Sequence, residues 1–215
     1  MTTMTTVDEV AADGSAGFEA TEPGRRHATV ATELGELTLV GDGSALVGVY
    51  FPEHRPEPDQ TRFGPVVGVD DDPVLAAAAE QLAEYASGHR TSFDVPVRPD
   101  GSERARQVWE LVAAVPRGET TTYAALGRAV GVGPRAAGQF VARNPLCVVV
   151  PCHRVVASDG RLTGYAGGVD RKRQLLQLEG ALAAGATAVP RVPVAAPADE
   201  AVAAAAPGEL VGVPA

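Results

Sequence analysis

The segment Thr122–Val156, TYAALGRAVGVGPRAAGQFVARNPLCVVVPCHRVV, decides how this chain is built. Thr122 can cap the run that begins Tyr123-Ala124-Ala125-Leu126, which predicts a short helix to about Val130. Gly131 and Gly133 break that helix, and Pro134 stands where the first position of another falls. The resulting helix, glycine turn and helix fit a DNA-binding helix-turn-helix and also a plain helical hairpin. The second helix opens Pro134-Arg135-Ala136-Ala137-Gly138, an arginine at the positive helix end followed by small side chains. Such a face allows close approach to a groove floor or, equally, tight packing on the first helix.

Beyond it, the apolar residues 146–150 predict a buried extended segment, and Pro151 stops it by removing a donor. Cys152 therefore emerges where the core ends. A thiol is a nucleophile only as thiolate, and His153 is the nearby group that could promote ionisation. On an extended chain adjacent side chains point to opposite faces, so direct contact needs a turn or a bridging water. From the residues alone, the favoured reading is that Cys152 is a small buried filler and His153 a surface residue; Cys147 fits the filler role well.

Toward the N-terminus, Ser102 caps a helix carrying Ala105, Val108, Trp109, Val112 and Val115 at core-facing intervals. Arg98-Pro99-Asp100-Gly101 is a turn, and the domain boundary is placed there. Before it, apolar runs at Ala28–Val30, Leu37–Val40 and Leu46–Phe51, broken by Leu34-Gly35 and Gly41-Asp42-Gly43, predict a small β-meander. A proline-rich loop covers 52–61, a helix is predicted over Pro73–Ala86, and a last short strand over Phe93–Val97. Another helix is predicted from about Asp170 to Ala183. The fold class is α+β: a small N-terminal sheet-and-helix domain over 26–100, then a mostly helical domain over 101–183. Residues 1–25 are expected to be disordered, and 184–215, rich in Ala, Pro and Val, to form a low-complexity tail.

The 215 residues carry a net charge of −9, which at face value argues against a polyanionic partner. The charge is uneven, however: residues 1–100 hold 18 acids and 6 bases, whereas 101–183 hold 6 acids and 11 bases. A polyanion can therefore approach the second segment if the first folds to one side. Seventeen of the 18 bases are arginine, Lys172 being the sole lysine. Arg154, Arg161, Arg171, Lys172 and Arg173 suit either a solubilising surface or phosphate contacts. No run is long and apolar enough to span a bilayer and the N-terminus lacks a leader pattern, so a cytoplasmic protein with no membrane partner is expected. Two cysteines are too few for a disulfide framework or a zinc site, and no metal or cofactor is expected.

The stretch Pro151-Cys152-His153-Arg154-Val155 resembles the active-site motif of the O6-alkylguanine-DNA alkyltransferases. The resemblance extends in order and spacing over Gly101–Ala181. It includes Gly118-Glu119-Thr120-Thr121-Thr122-Tyr123, Arg135-Ala136-Ala137-Gly138, Asn144-Pro145, Gly164-Tyr165-Ala166-Gly167-Gly168 and Leu175-Leu176-Gln177-Leu178-Glu179-Gly180. Over 28–100 it is looser. It implies suicide repair: a monomer binds double-stranded DNA in the minor groove, flips O6-alkylguanine into a pocket and takes the alkyl group irreversibly, without a cofactor. By the same resemblance Cys152 is the acceptor thiol, activated by His153 through a water, with Glu179 orienting the imidazole. Asn144 would hold the turn before the active-site segment, Arg135 fill the gap left by the flipped nucleotide, and Tyr123 help rotate the base and hydrogen-bond its ring. Backbone groups near Val155 and Ala166 would read the guanine edge, Tyr165 line the pocket, and Ser158 lie in the loop against the base. O4-alkylthymine is a further candidate substrate.

Departures from the family pattern are specific. Arg104 stands where the family usually has phenylalanine, the turn from Gly131 to Arg135 is the shorter of the family's variants, and there is neither the N-terminal zinc site of animal members nor a four-cysteine regulatory domain. Two alternatives follow: a non-enzymatic relative that binds alkylated DNA, and a cysteine hydrolase using Cys152, His153 and Glu179.

Overall fold

The computed structural model describes residues 24–189. The segments expected to be unstructured therefore lie outside the described residues over 1–23 and 190–215. Strands β1 (Arg26–Thr32), β2 (Gly35–Gly41) and β3 (Leu46–Tyr50) form an antiparallel sheet in sequence order. Thr32 pairs with Gly35, and Gly35 takes the φ of 104° that this tight reversal requires. Leu37 and Leu39 lie on one sheet face and are fully buried. Helix α1 (Pro73–Ala86) packs over this sheet, contributing Leu75, Ala78 and Leu82 to the same core. Asp72 starts the helix by accepting hydrogen bonds from Val74 and Leu75, while Pro73 takes the first turn, where no donor is needed.

The strand expected over Phe93–Val97 is not formed. Val97 makes one isolated parallel bridge to Leu46, and Pro96, which has no N–H, offers only its carbonyl. The two halves of the chain nevertheless share one continuous core, in which Leu39, Val49 and Leu82 join Val108, Trp109 and Leu146. Val49 donates to the Pro145 carbonyl at 2.7 Å and accepts from Cys147 at 3.2 Å, so the edge strand β3 is stitched to the segment leading to Cys152.

Helix α2 (Glu103–Ala113) begins at Ser102, whose hydroxyl accepts from Ala105. Trp109 is buried, donating its indole N–H to the Phe140 carbonyl. Arg104 remains exposed and reaches the Val130 carbonyl at 3.3 Å, so no aromatic group fills its place. Strand β4 (Thr121–Thr122) leads into α3 (Tyr123–Ala129), which Thr122 caps; α4 (Pro134–Ala142) follows and packs on α3 and α2. The turn between them depends on glycine twice. Gly131 has φ 68°, and a Cβ on Gly127 would sit 2.7 Å from the Val132 carbonyl.

Strand β5 (Val155–Val156) pairs in parallel with β4, and α5 (Val169–Leu178) closes the fold. α5 stops earlier than Ala183 because Gly180, at φ 78°, turns the backbone left-handed just after Glu179. The ordered chain also continues past 183. Val189 is buried, donates to the Gly160 carbonyl, and shares a small cluster with Val156, Leu176 and Leu182.

Candidate active site

The apolar run 146–150 is buried as expected but is not extended. Val148 adopts φ 73°, a region β-branched residues seldom enter, and the backbone closes on itself through Val150 N–H to Leu146 O. Asn144 makes this fold possible. It is fully buried, accepts from the Leu146 N–H and donates Nδ2 to the Val150 carbonyl at 2.9 Å, satisfying polar groups that the turn would otherwise strand. The same amide lies 3.2 Å from the Cys152 sulfur.

Cys152–Arg154 then form one 3-10 turn, so the side chains of Cys152 and His153 do not point to opposite faces as they would on an extended chain. Cys152 is only 3% exposed, yet it lines a cavity of about 560 Å³ with Tyr123, Arg135, Tyr165 and Ala166. Its thiol titrates below the ordinary value: a hydrogen bond from Cys147 outweighs burial, aided by the Asn144 amide and the Lys172 charge. Cys147 moves the other way, because donating to Cys152 and full burial both keep it protonated.

His153 is completely buried rather than on the surface. Its Nε2 lies 2.8 Å from Glu179 Oε1, and its Nδ1 is buried without a protein partner. Glu179 also accepts from Arg154 Nε at 3.0 Å and Nη2 at 2.9 Å, and from the hydroxyl of Tyr85 on α1. Burial would raise the Glu179 carboxyl, but His153, which is protonated at the acid pH where this carboxyl titrates, and the hydrogen-bonded Arg154 guanidinium prevail and hold it well below the usual carboxylate range. Burial lowers the His153 pKa despite the neighbouring carboxylate, since Arg154 already balances that charge. The imidazole is thus neutral, with its proton on Nε2 and its lone pair on Nδ1.

Lys172 and Arg154 are not surface cations. Lys172 is fully buried, with Nζ donating to the carbonyls of Val155 at 2.6 Å, Thr163 at 2.7 Å and Gly164 at 3.3 Å. Burial pushes its pKa down to about 8. The Tyr123 hydroxyl donates at 3.3 Å to the same Thr163 and Gly164 carbonyls, and the ammonium lies 5.8 Å from the Tyr123 ring centroid. Together these bonds hold the loop that forms one side of the cavity.

The structure therefore brings together Cys152, His153, Glu179 and Asn144, and puts Tyr123, Arg135, Tyr165 and Ala166 on the cavity lining. Val155 and Ser158 are not part of that lining. Val155 already uses its N–H on the Cys152 carbonyl and its own carbonyl on Lys172, and Ser158 sits on an exposed turn closed by Gly160 N–H to Ala157 O. Sequence reasoning missed Tyr85, Lys172 and Arg55, which also lines the cavity. Only Lys172 had a signal, as the single lysine in a chain otherwise using arginine. A compact ammonium suits three carbonyls converging on one point, where a planar guanidinium does not. Among the described residues no cluster of His, Cys, Asp or Glu is arranged to hold a metal ion, and no helix is long and apolar enough to cross a membrane.

Comparison with known families matches residues 103–181 to the DNA-binding domain of 6-O-methylguanine DNA methyltransferase, and residues 26–99 to the ribonuclease-like domain of the same family. The methylated-DNA–protein-cysteine methyltransferase of Mycobacterium tuberculosis is 38% identical over 153 residues, covering 70% of this chain and 90% of the relative. That of Methanosarcina acetivorans is 36% identical over 156 residues, covering 72% and 97%. The crystal structure of Mycobacterium tuberculosis OGT in complex with DNA superposes with a TM-score of 0.64 at 36% identity, covering 72% of this chain and 92% of that one.

Proposed function

The chain belongs to the O6-alkylguanine-DNA alkyltransferase family, and from that membership we propose a residue-by-residue course for its reaction. The protein acts in DNA repair, moving an alkyl group from damaged DNA onto one of its own cysteines. In this reading Cys152 is the acceptor and the substrate is O6-alkylguanine, everted from a duplex bound through its minor groove by α3 and α4. One monomer acts on one lesion. Residues 26–100 serve as a supporting domain and 101–183 as the one that binds DNA and reacts.

The observation that carries the assignment is the state of His153. Its Nε2 proton is committed to Glu179 while Nδ1 stays open, inside the same buried turn as a thiol already disposed to ionise. The Cys152 proton passes to Nδ1, through a water where the two do not touch. The thiolate then attacks the alkyl carbon. A sulfur–carbon bond forms, the carbon–O6 bond breaks, and its electron pair leaves with guanine, which takes up a proton. Tyr123, on the cavity lining, is assigned to help rotate the base and hydrogen-bond its ring. The product is a thioether without a carbonyl for water to attack, so the thiol is not regenerated.

Glu179 and Asn144 act as positioning residues, the first setting the imidazole tautomer and the second holding the turn. Arg135, exposed at the start of α4, is assigned to the gap left by the everted nucleotide; Tyr165 and Ala166 are assigned to the base pocket. Ser158 and Val155 are left with supporting roles next to the loop. Incubation with an oligonucleotide carrying O6-methylguanine, followed by peptide mass spectrometry, tests the reading: one methyl on Cys152 and none on Cys147 is expected. Methyl uptake elsewhere, or turnover beyond one equivalent, would overturn it.

A further inference from the structure

The cavity that Cys152 lines has two cationic side chains on its wall, Arg135 and Arg55. They come from opposite halves of the chain, and Arg55 is the sole contribution of residues 24–100 to that wall. It sits in an acidic neighbourhood of sequence, between Glu53 and Glu57, in a half with threefold more acids than bases. Among the described residues its guanidinium nevertheless makes no ion pair and no hydrogen bond, and the side chain is exposed. The backbone is anchored instead: the Arg55 N–H donates at 2.8 Å to the carbonyl of Ala166, itself on the cavity lining. The loop thus presents an uncompensated cation at a defined place beside the reacting cysteine.

A base everted into this cavity remains attached to its sugar, so its flanking phosphates stay at the cavity wall while the purine goes in. Arg135 is committed to the duplex gap in the function proposed above. We propose that Arg55 is a phosphate-binding residue for the everted nucleotide, supplied by the otherwise acidic N-terminal half and positioned by its main-chain bond to Ala166. The proposal rests on the alkyl-transfer reading and adds a second DNA contact outside the helix-turn-helix. It also reconciles the acidic half with a polyanionic partner: that half touches DNA at one arginine and elsewhere repels it.

The test is equilibrium binding of the full chain to duplexes with and without O6-methylguanine, followed by fluorescence anisotropy across salt concentrations, for the wild type, Arg55→Ala and Arg55→Lys. Loss of one phosphate contact lowers the slope of log K against log salt by about 0.9. Arg55→Ala is expected to show that change, with binding to the lesion duplex about tenfold weaker and a smaller loss on undamaged duplex. Arg55→Lys should recover the slope, since a phosphate accepts a point charge. An unchanged slope in Arg55→Ala, equal losses on the two duplexes, or a lysine variant as impaired as alanine would overturn the proposal. Failure of the alkyl-transfer reading would instead appear as absence of methyl on wild-type Cys152, a separate measurement.

Discussion

Tyr85 and Glu179, 94 positions apart, meet through a buried hydrogen bond that joins the N-terminal helix to the group orienting His153. Glu179 is thus held from three sides, by Tyr85, His153 and Arg154, and its loss would leave a buried guanidinium without its counter-ion. Glu179→Gln is expected to cost about 3–5 kcal/mol of stability. It should also slow alkyl transfer. Tyr85→Phe removes one neutral partner only and should cost about 1 kcal/mol. Chemical denaturation of the two variants checks this; equal losses would show that the Arg154 pair contributes no more than the Tyr85 hydrogen bond.

Cys147 donates to Cys152 and favours its thiolate. Cys147→Ala removes that donor, so the Cys152 pKa should rise and the thiolate fraction at neutral pH fall. Transfer should therefore be slower by several-fold near pH 7 and recover at alkaline pH, which a pH–rate profile with free O6-methylguanine would reveal. A uniform loss at all pH values would point to packing instead.

Lys172 binds three carbonyls of the segments bordering the cavity. Lys172→Met keeps the stem and removes the donors. Met leaves those carbonyls without their donor, and a buried polar group so stranded costs about 1–3 kcal/mol. The variant should therefore be measurably less stable than the wild type, exchange amide hydrogens faster over 163–166 and transfer methyl more slowly. Unchanged exchange in that loop would remove the positioning role.

Two buried histidines make stability depend on pH in a definite direction. Burial lowers His54 to about 4 and lowers His153 as well. Between pH 4 and 6.5 the unfolded chain binds protons at His54 that the folded chain does not, so stability is full above about 6.5 and declines as pH falls through this window. For His54 the loss is of the order of 3 kcal/mol. His54→Gln should flatten the fall, and a pH series of thermal unfolding curves would detect it.

Arg135→Ala should weaken repair of duplex DNA more than reaction with free O6-methylguanine, because the free base leaves no gap to fill. Single-turnover rates on the two substrates provide the comparison. Equal loss on both would reject the assigned role.

Sequence alone determined what local chemistry controls. Ser102, Thr122 and Pro134 announce helix starts, Gly131 and Gly133 the turn between two of them, and Pro151-Cys152 the end of an apolar run; these signals act over a few residues and survive in any context. The family resemblance likewise pointed to Cys152, His153, Glu179 and Asn144, and these four side chains lie together in the fold. The tertiary structure decided the rest. Residues 146–150 form a left-handed turn rather than an extended segment because Asn144 stabilises it with side-chain bonds, and Phe93–Val97 fails as a strand for want of a donor at Pro96. Arg154 and Lys172 carry the composition of surface cations, and only a buried carboxylate and converging carbonyls brought from elsewhere in the chain make the interior tolerable for them. Charge in a core is stabilised by partners distant in sequence, and such partners leave no mark on the residues nearby.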